Sequence, residues 1–289
     1  MDEILVILNP AARGDRARHT RDKIRKMVRA TKMHITTAAG DARSLAATAA
    51  EQGFRTVVAA GGDGTINEIV NGLAGSDVTL GILPVGTMNV FASELGVPGN
   101  LEQAWKIIED GHVRRIDMAR ANSHYFVQLA GVGLDAQVVQ QTSWNLKKTF
   151  GPLSYVISAA QIAARKPPRL FVEADGISHE GSFVLVGNGR YYAGTLAFFK
   201  DALIDDGKLD ILIFKNLGYL DIVRYLGGIL MGTHTDLVDV EYFQTRKAAV
   251  RSEEEVPVEV DGEVVTRLPV TFRISSRKLK VLAPKPTRS

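Results

Sequence analysis

The chain has 289 residues, 45% of them hydrophobic and 23% charged, with 35 Lys and Arg against 32 Asp and Glu for a net charge of +3. That length fits two domains of ordinary size, the composition excludes a disordered or fibrous chain, and so small a basic surplus argues against nucleic acid as a partner. Zero cysteines exclude disulfide staples, thiolate zinc sites and a cysteine nucleophile.

In chain order, Ile4 to Leu8 is a short apolar run that predicts a strand, Arg16 to Val28 is of helix length, and His34 to Thr36 is extended. Ala42 to Gln52 predicts an alanine-rich helix with Asp41 as its cap, Thr56 to Ala60 a strand, Thr65 to Leu73 a helix and Thr79 to Leu83 a strand. Buried strands alternating with helices imply right-handed βαβ units and a parallel sheet, an α/β domain. Beyond about residue 114 the texture changes to short runs at Arg169 to Ala174, Ser182 to Val186, Leu209 to Phe214, Val256 to Val260 and Val270 to Ile274, which predict antiparallel strands. Helices are expected around Pro152 to Ala164 and Leu217 to Leu230, and the domain boundary near residue 120. No run of 18 apolar residues occurs, and Met1-Asp2-Glu3 lacks the basic start of a secretory leader, so the expected setting is cytoplasmic.

Three loops carry the chemistry. In Val57-Val58-Ala59-Ala60-Gly61-Gly62-Asp63-Gly64-Thr65-Ile66-Asn67-Glu68 an apolar strand runs into glycines and a helix start, where backbone N–H groups can face a phosphate. Asp63 would repel a bare phosphate, which points to a bridging metal or to an acceptor substrate; a tight turn with Asp63 or Thr65 as N-cap is the structural alternative. A second loop, Pro84-Val85-Gly86-Thr87-Met88-Asn89, repeats the strand-to-helix pattern, and Asn9-Pro10 ends the first strand with Arg13 close behind. Residues 13 to 29 hold eight Arg or Lys against Asp15 and Asp22. No Walker phosphate loop occurs, and the six histidines form no zinc pattern. Gly131-Val132-Gly133-Leu134-Asp135-Ala136 matches a dinucleotide fingerprint but lacks the acidic residue about 20 positions on that a ribose requires.

Taken together, Gly61-Gly62-Asp63-Gly64-Thr65-Ile66-Asn67-Glu68, Pro84-Val85-Gly86-Thr87-Met88-Asn89 and Asn9-Pro10 resemble the catalytic domain of the diacylglycerol kinase family, bacterial lipid-kinase branch, related to sphingosine kinases and NAD kinases. Asn188-Gly189-Arg190, Asp201 to Leu209 and Val260-Asp261-Gly262-Glu263 agree with it in the same order. The resemblance implies an ATP-binding α/β domain over residues 1–120, a β-sandwich lipid-substrate domain over 121–279, a tail from about 280 to 289 packing back on the first, and an active cleft between the two. It implies ATP held by Asn9, Arg13 and Thr36, by Gly61, Gly62, Asp63, Gly64, Thr65, Asn67 and Glu68, and by Gly86, Thr87 and Asn89. Asp63 becomes the link to catalytic Mg²⁺ or to the acceptor hydroxyl, and Glu263 the general base for that hydroxyl. Leu203, Asp206 and Lys208 become a structural Mg²⁺ site, one side chain and two carbonyls; on residues alone the same segment reads as an Asp-Gly turn. Val90 departs from the aspartate that many members carry there.

The implied activity is ATP- and Mg²⁺-dependent phosphorylation of a lipid hydroxyl, diacylglycerol to phosphatidic acid first among acceptors. A sphingoid base, phosphatidylglycerol, NAD, or a non-catalytic nucleotide-binding regulator are the alternatives. Such an enzyme must meet its substrate at the bilayer. The stretch from 136 to 172 has no acid and carries Lys147, Lys148, Arg165, Lys166 and Arg169 among Trp144, Phe150 and Tyr155, which suits peripheral contact with an anionic membrane. Leu220, Val223, Leu226 and Leu230 of the second helix read as core, with lining of an acyl-chain entrance as the functional alternative. A homodimer is compatible with the sequence.

Overall fold

The computed structural model describes residues 3–10, 15–28, 31–133, 167–192 and 194–285. Arg13, the helix expected at Pro152 to Ala164 and most of the acid-free basic stretch lie outside the described residues. The chain divides into two compact units, Met1–Asp117 with Ser276–Ser289, and Met118–Ser275.

In the first unit β1 (Ile4–Leu8), β2 (Lys32–Ile35), β3 (Thr56–Gly61) and β4 (Thr79–Pro84) form a parallel sheet in the order β2-β1-β3-β4. Val57 to Gly61 and Leu80 to Pro84 are buried without a break, so both faces of these strands are covered and their sequences are continuous apolar runs rather than alternations. The intervening helices are α1 (Asp15–Met27), α2 (Asp41–Ala49), α3 (Asp63–Leu73), α4 (Val90–Glu94) and α5 (Leu101–Asp110). Parallel pairing puts every strand-to-helix loop at the same edge, the carboxyl end of the sheet.

Two local expectations are corrected. Helix α3 starts at Asp63 with Gly62 at the cap position and no side-chain cap, so neither Asp63 nor Thr65 is its N-cap. Asp41 does not cap α2 either. Its carboxylate accepts from Thr37 N–H at 2.7 Å and Ala38 N–H at 2.9 Å in the preceding turn. The free N–H groups of α2 go to another helix: Glu68 accepts from Ala42 N–H at 3.1 Å and Arg43 N–H at 3.4 Å.

The chain leaves the first unit within β5 (Val113–Ala121), which forms a hairpin with β6 (His124–Phe126). β7 (Leu129–Val132), β8 (Leu170–Ala174), β9 (Ile177–Gly181) and β10 (Phe183–Gly187) follow, with the short pair β11 (Tyr191–Tyr192) and β12 (Leu196–Ala197). Then come β13 (Leu209–Phe214), α6 (Tyr219–Met231), β14 (Val240–Thr245), β15 (Lys247–Ser252), β16 (Pro257–Val260), β17 (Glu263–Arg267) and β18 (Val270–Leu282). Strands β14-β13-β10-β7-β16-β17 make one antiparallel sheet, and β9, β8, β15 and the start of β18 pair antiparallel as its companion. The end of β18 lies in the first unit, with Val281 opposite Leu80 of β4.

The two antiparallel faces close on one core: Val132, Val184, Ile211 and Val258 from the first, Val172, Val250 and Phe272 from the second. This is a β-sandwich. The other face of the six-stranded sheet is also buried, because Leu212 and Phe214 of β13 pack with Phe199, Tyr225 and Ile229. Helix α6 therefore covers that sheet with Ile222, Tyr225, Gly228 and Ile229. The core reading of Leu220, Val223 and Leu230 is corrected, since they are 79%, 53% and 72% exposed on the opposite side of α6.

Candidate active site

Three loop ends meet at the carboxyl edge of the parallel sheet. Asn9 N–H donates to the Ala60 carbonyl at 3.0 Å, Thr36 N–H to Leu8 at 2.9 Å and Val85 N–H to Gly61 at 3.1 Å, so each loop departs at the same level. Asn9 Nδ2 donates to Thr65 Oγ1 at 2.9 Å, tying the first strand end to the first turn of α3. Thr36, Thr65 and Asn67 are buried, and Thr87 is exposed. Asn9, Thr36, Gly61 to Glu68 and Gly86 to Asn89 thus belong to one edge; Arg13 lies outside the described residues.

The two glycine loops touch through backbone. A Cβ on Gly86 would stand 2.5 Å from Gly62 Cα, a distance at which one chain must move. It would also stand 2.8 Å from Asn89 Oδ1, a buried oxygen with no hydrogen-bond partner among the described residues. Asn89 takes the left-handed conformation at φ 48° at the N-cap position of α4, makes no side-chain capping bond there, and donates through Nδ2 to the Gly86 carbonyl at 2.8 Å. Asp63 Oδ1 accepts from Phe91 N–H at 3.1 Å, so this carboxylate joins the starts of α3 and α4.

The N-termini of α2 and α3 at this edge differ. That of α2 is satisfied by Glu68, whereas Gly62 gives α3 no side-chain cap. An uncapped helix start with its dipole and first-turn N–H groups is the arrangement that takes a phosphate. A nucleotide's phosphates therefore fit the residues present, with glycines where side chains would block approach.

In the second unit the Asp261-Gly262 turn between β16 and β17 has φ values of 47° and 88°, both positive as a two-residue type I′ hairpin requires. Glu263 opens β17 from that turn and is exposed. Asp261 itself was legible only as a turn residue, yet its carboxylate accepts from three successive backbone groups, Val127 N–H at 3.0 Å, Gln128 N–H at 3.0 Å and Leu129 N–H at 3.1 Å. Asn188 Nδ2 donates to the Val127 carbonyl at 2.9 Å, and Gly262 N–H donates to Glu259 Oε2 at 2.8 Å. The hairpin that carries Glu263 is thereby clamped to the segment leading into β7, its neighbour in the sheet. Gly131 of the dinucleotide-like motif sits in the middle of β7, paired with both Leu185 and Glu259.

At the acidic turn, Asp206 Oδ1 accepts from Lys208 N–H at 3.0 Å and the Leu203 carbonyl from Asp206 N–H at 3.4 Å. Nearby Asp210 is buried and accepts from Tyr242 O–H and from Gln244 Nε2 at 3.0 Å. Burial pushes its carboxyl above the usual carboxylate range, with Asp206 and Asp201 pushing the same way. Among the described residues no three His, Cys, Asp or Glu side chains come together as a metal cage. A cation here would rely on one carboxylate and carbonyls, an all-oxygen set suited to a hard ion, and the adjoining acids are a local excess of negative charge that such an ion relieves.

Residues 3–121 match the family described as the diacylglycerol kinase catalytic domain, and residues 128–283 the YegS C-terminal NAD kinase beta sandwich-like domain. The chain is 32% identical to the diacylglycerol kinase of Bacillus subtilis, covering 99% of this chain and 97% of that one. It is 31% identical to the diacylglycerol kinase of Staphylococcus saprophyticus, over 96% and 94% of the two. The crystal structure of a diacylglycerol kinase from Bacillus anthracis superposes with a TM-score of 0.79 at 29% identity, covering 98% of this chain and 97% of that chain.

Proposed function

We propose, since the chain belongs to the diacylglycerol kinase family and is a lipid kinase, that it transfers the γ-phosphate of ATP to the free hydroxyl of diacylglycerol, giving phosphatidic acid. The observation that carries the nucleotide half is the uncapped start of α3 beside two glycine loops in backbone contact. We assign donor binding to residues 1–120 and acceptor binding to 121–279.

Asn9, Thr36, Gly61 to Thr65, Asn67 and Glu68 hold the donor, with Arg13, Gly86, Thr87 and Asn89. Backbone N–H groups at Gly62 to Thr65 stabilise the charge that grows on the transferring group. Glu68 acts through α2, whose start it caps, and Asn9 through Thr65. Glu263 takes the proton of the acceptor hydroxyl as its oxygen bonds to the γ-phosphorus and the bond to the departing ADP oxygen breaks. Asp63 would hold catalytic Mg²⁺ or meet the acceptor hydroxyl, and Asp206 with the Leu203 and Lys208 carbonyls would hold a structural Mg²⁺; bound, the ion would neutralise phosphate charge. The setting is cytoplasmic with peripheral contact to an anionic bilayer. Among the described residues no helix is long and apolar enough to cross a membrane.

Purified protein with radiolabelled ATP and Mg²⁺ is to be offered diacylglycerol, a sphingoid base, phosphatidylglycerol and NAD in parallel. Label in phosphatidic acid, lost in Glu263→Gln and Asp63→Asn, is expected. Label in NAD alone, or in none of the four, refutes the reading, and preference for a sphingoid base or phosphatidylglycerol replaces the acceptor while leaving the chemistry.

A further inference from the structure

Helix α6 has two apolar faces, and among the described residues only one of them is covered. Its inner face, Ile222, Tyr225, Gly228 and Ile229, lies on the β-sandwich. On the outer side Tyr219 is 62% exposed, Leu220 79%, Val223 53%, Leu230 72% and Met231 80%. In a helix these positions fall on one side, over a length of about 20 Å. Val238, in the segment after the helix, is also exposed.

One charge stands beside the stripe: Arg224, one turn after Leu220, is exposed, with its guanidinium turned to Asp221 and Asp239. The helix has two charged residues, Asp221 and Arg224. Arg224 Nη2 reaches Asp221 at 3.0 Å, and its Nη1 reaches Asp239 at 2.7 Å. Tyr225 O–H donates to the same Asp239 at 2.6 Å. The helix is therefore fastened by its inner face and both its charges, and cannot rotate to bury the outer leucines.

We infer that this outer face of α6 is a bilayer-docking surface that seats in the hydrocarbon boundary of the membrane holding the acceptor. The inference rests on the reading above that the acceptor is a diacylglycerol, a molecule that stays in the bilayer. An in-plane helix needs an uncharged apolar side against the acyl chains, and this one presents leucine, valine and methionine with a tyrosine at one end. A second copy of the chain is the poorer occupant. A standard interface takes 20–30 residues and roughly 800 Å² from each partner, against one row of five side chains here. The one charge beside the stripe, Arg224, is already paired with Asp221 and Asp239, which leaves a charged protein partner little to engage.

The test is co-sedimentation of the full chain with neutral phosphatidylcholine vesicles at high salt, which silences attraction by basic residues elsewhere. Wild type is expected to bind, and Leu220→Glu with Leu230→Glu to lower partition by roughly a hundredfold while melting as wild type does. Leu220→Ser with Leu230→Ser gives the same direction should the acidic pair not fold. Phosphorylation of a water-soluble short-chain diacylglycerol, which needs no bilayer, should be equal in wild type and variants. Wild type that ignores neutral vesicles, or variants that bind them as well as wild type, overturns the inference. So does a wild-type dimer on gel filtration that the variants disperse, since a second copy then covers the stripe. Vesicle binding without turnover of the soluble acceptor refutes the functional reading and leaves the docking surface standing.

Discussion

Asp261→Asn separates what the Asp261 carboxylate does from what its backbone does. Both residues tolerate the left-handed conformation at φ 47°, so the type I′ turn keeps its shape. Oδ1 accepts from Gln128 and Leu129 N–H at 3.0 and 3.1 Å, and Oδ2 from Val127 N–H at 3.0 Å. An amide keeps one oxygen for the first pair and turns an NH₂ donor toward the Val127 N–H. One charge-assisted bond of about 1.5–3 kcal/mol is lost and two fall toward the neutral value of about 1 kcal/mol. Allowing for the easier burial of a neutral amide, the hairpin is weakened by about 2–4 kcal/mol. Native-state hydrogen exchange reads this directly: the amides of Val127, Gln128 and Leu129 should exchange about 30- to 1,000-fold faster, since each 1.4 kcal/mol is about tenfold. The turn also presents Glu263, so kcat should fall with KM for ATP unchanged. Exchange at these three amides within about twofold of wild type would refute the clamp, because a 2 kcal/mol loss cannot hide in that margin.

Other expectations follow from the same distances. Gly86→Ala drives a Cβ to 2.5 Å from Gly62 Cα and should weaken ATP binding at least about tenfold, whereas Gly62→Ala, at 3.2 Å from Gly86 Cα, should cost less, both read by nucleotide titration. Glu68→Gln weakens the cap on Ala42 and Arg43 N–H and should destabilise the chain by about 1 kcal/mol in urea unfolding, with the loss reduced in salt. Asp239 is held well below the usual carboxylate range, first by the Arg224 guanidinium and then by Tyr225 O–H and Asn216 Nδ2. A lowered folded-state value means stability present above the unfolded pKa of about 4 and lost as pH falls below it, so the unfolding midpoint should drop between about pH 4 and pH 2 and Asp239→Asn should flatten that limb. Mg²⁺ at about 100 times its Kd should stabilise the chain by about 2.7 kcal/mol, and Asp206→Asn should abolish the shift in a melting titration.

The α/β half was legible because its signals are local. Val57 to Ala60 is continuous apolar sequence since the strand is covered on both faces, and the glycines after it stand where the backbones of two loops meet. Asp261-Gly262 announced its hairpin because positive φ at two successive residues restricts the choice of amino acid. The sandwich strand Leu209–Phe214 was equally plain, though its core faces two directions.

Partnership across long separations was decided by tertiary structure alone. Asp41 looked like the cap of α2 by position, but Glu68, 26 residues after Ala42, supplies it. Asp63 looked like a cap or a ligand, and its oxygen holds Phe91 N–H 28 residues on. The grip of Asp261 on Val127 spans 134 residues. Residue type and spacing state which hydrogen-bond groups a segment brings, and only folding decides which distant donor each one meets. The same holds for α6. An apolar helix reads as core whichever side is covered, and the packing of Ile222 and Ile229 on the sandwich is what leaves Leu220 and Leu230 facing outward.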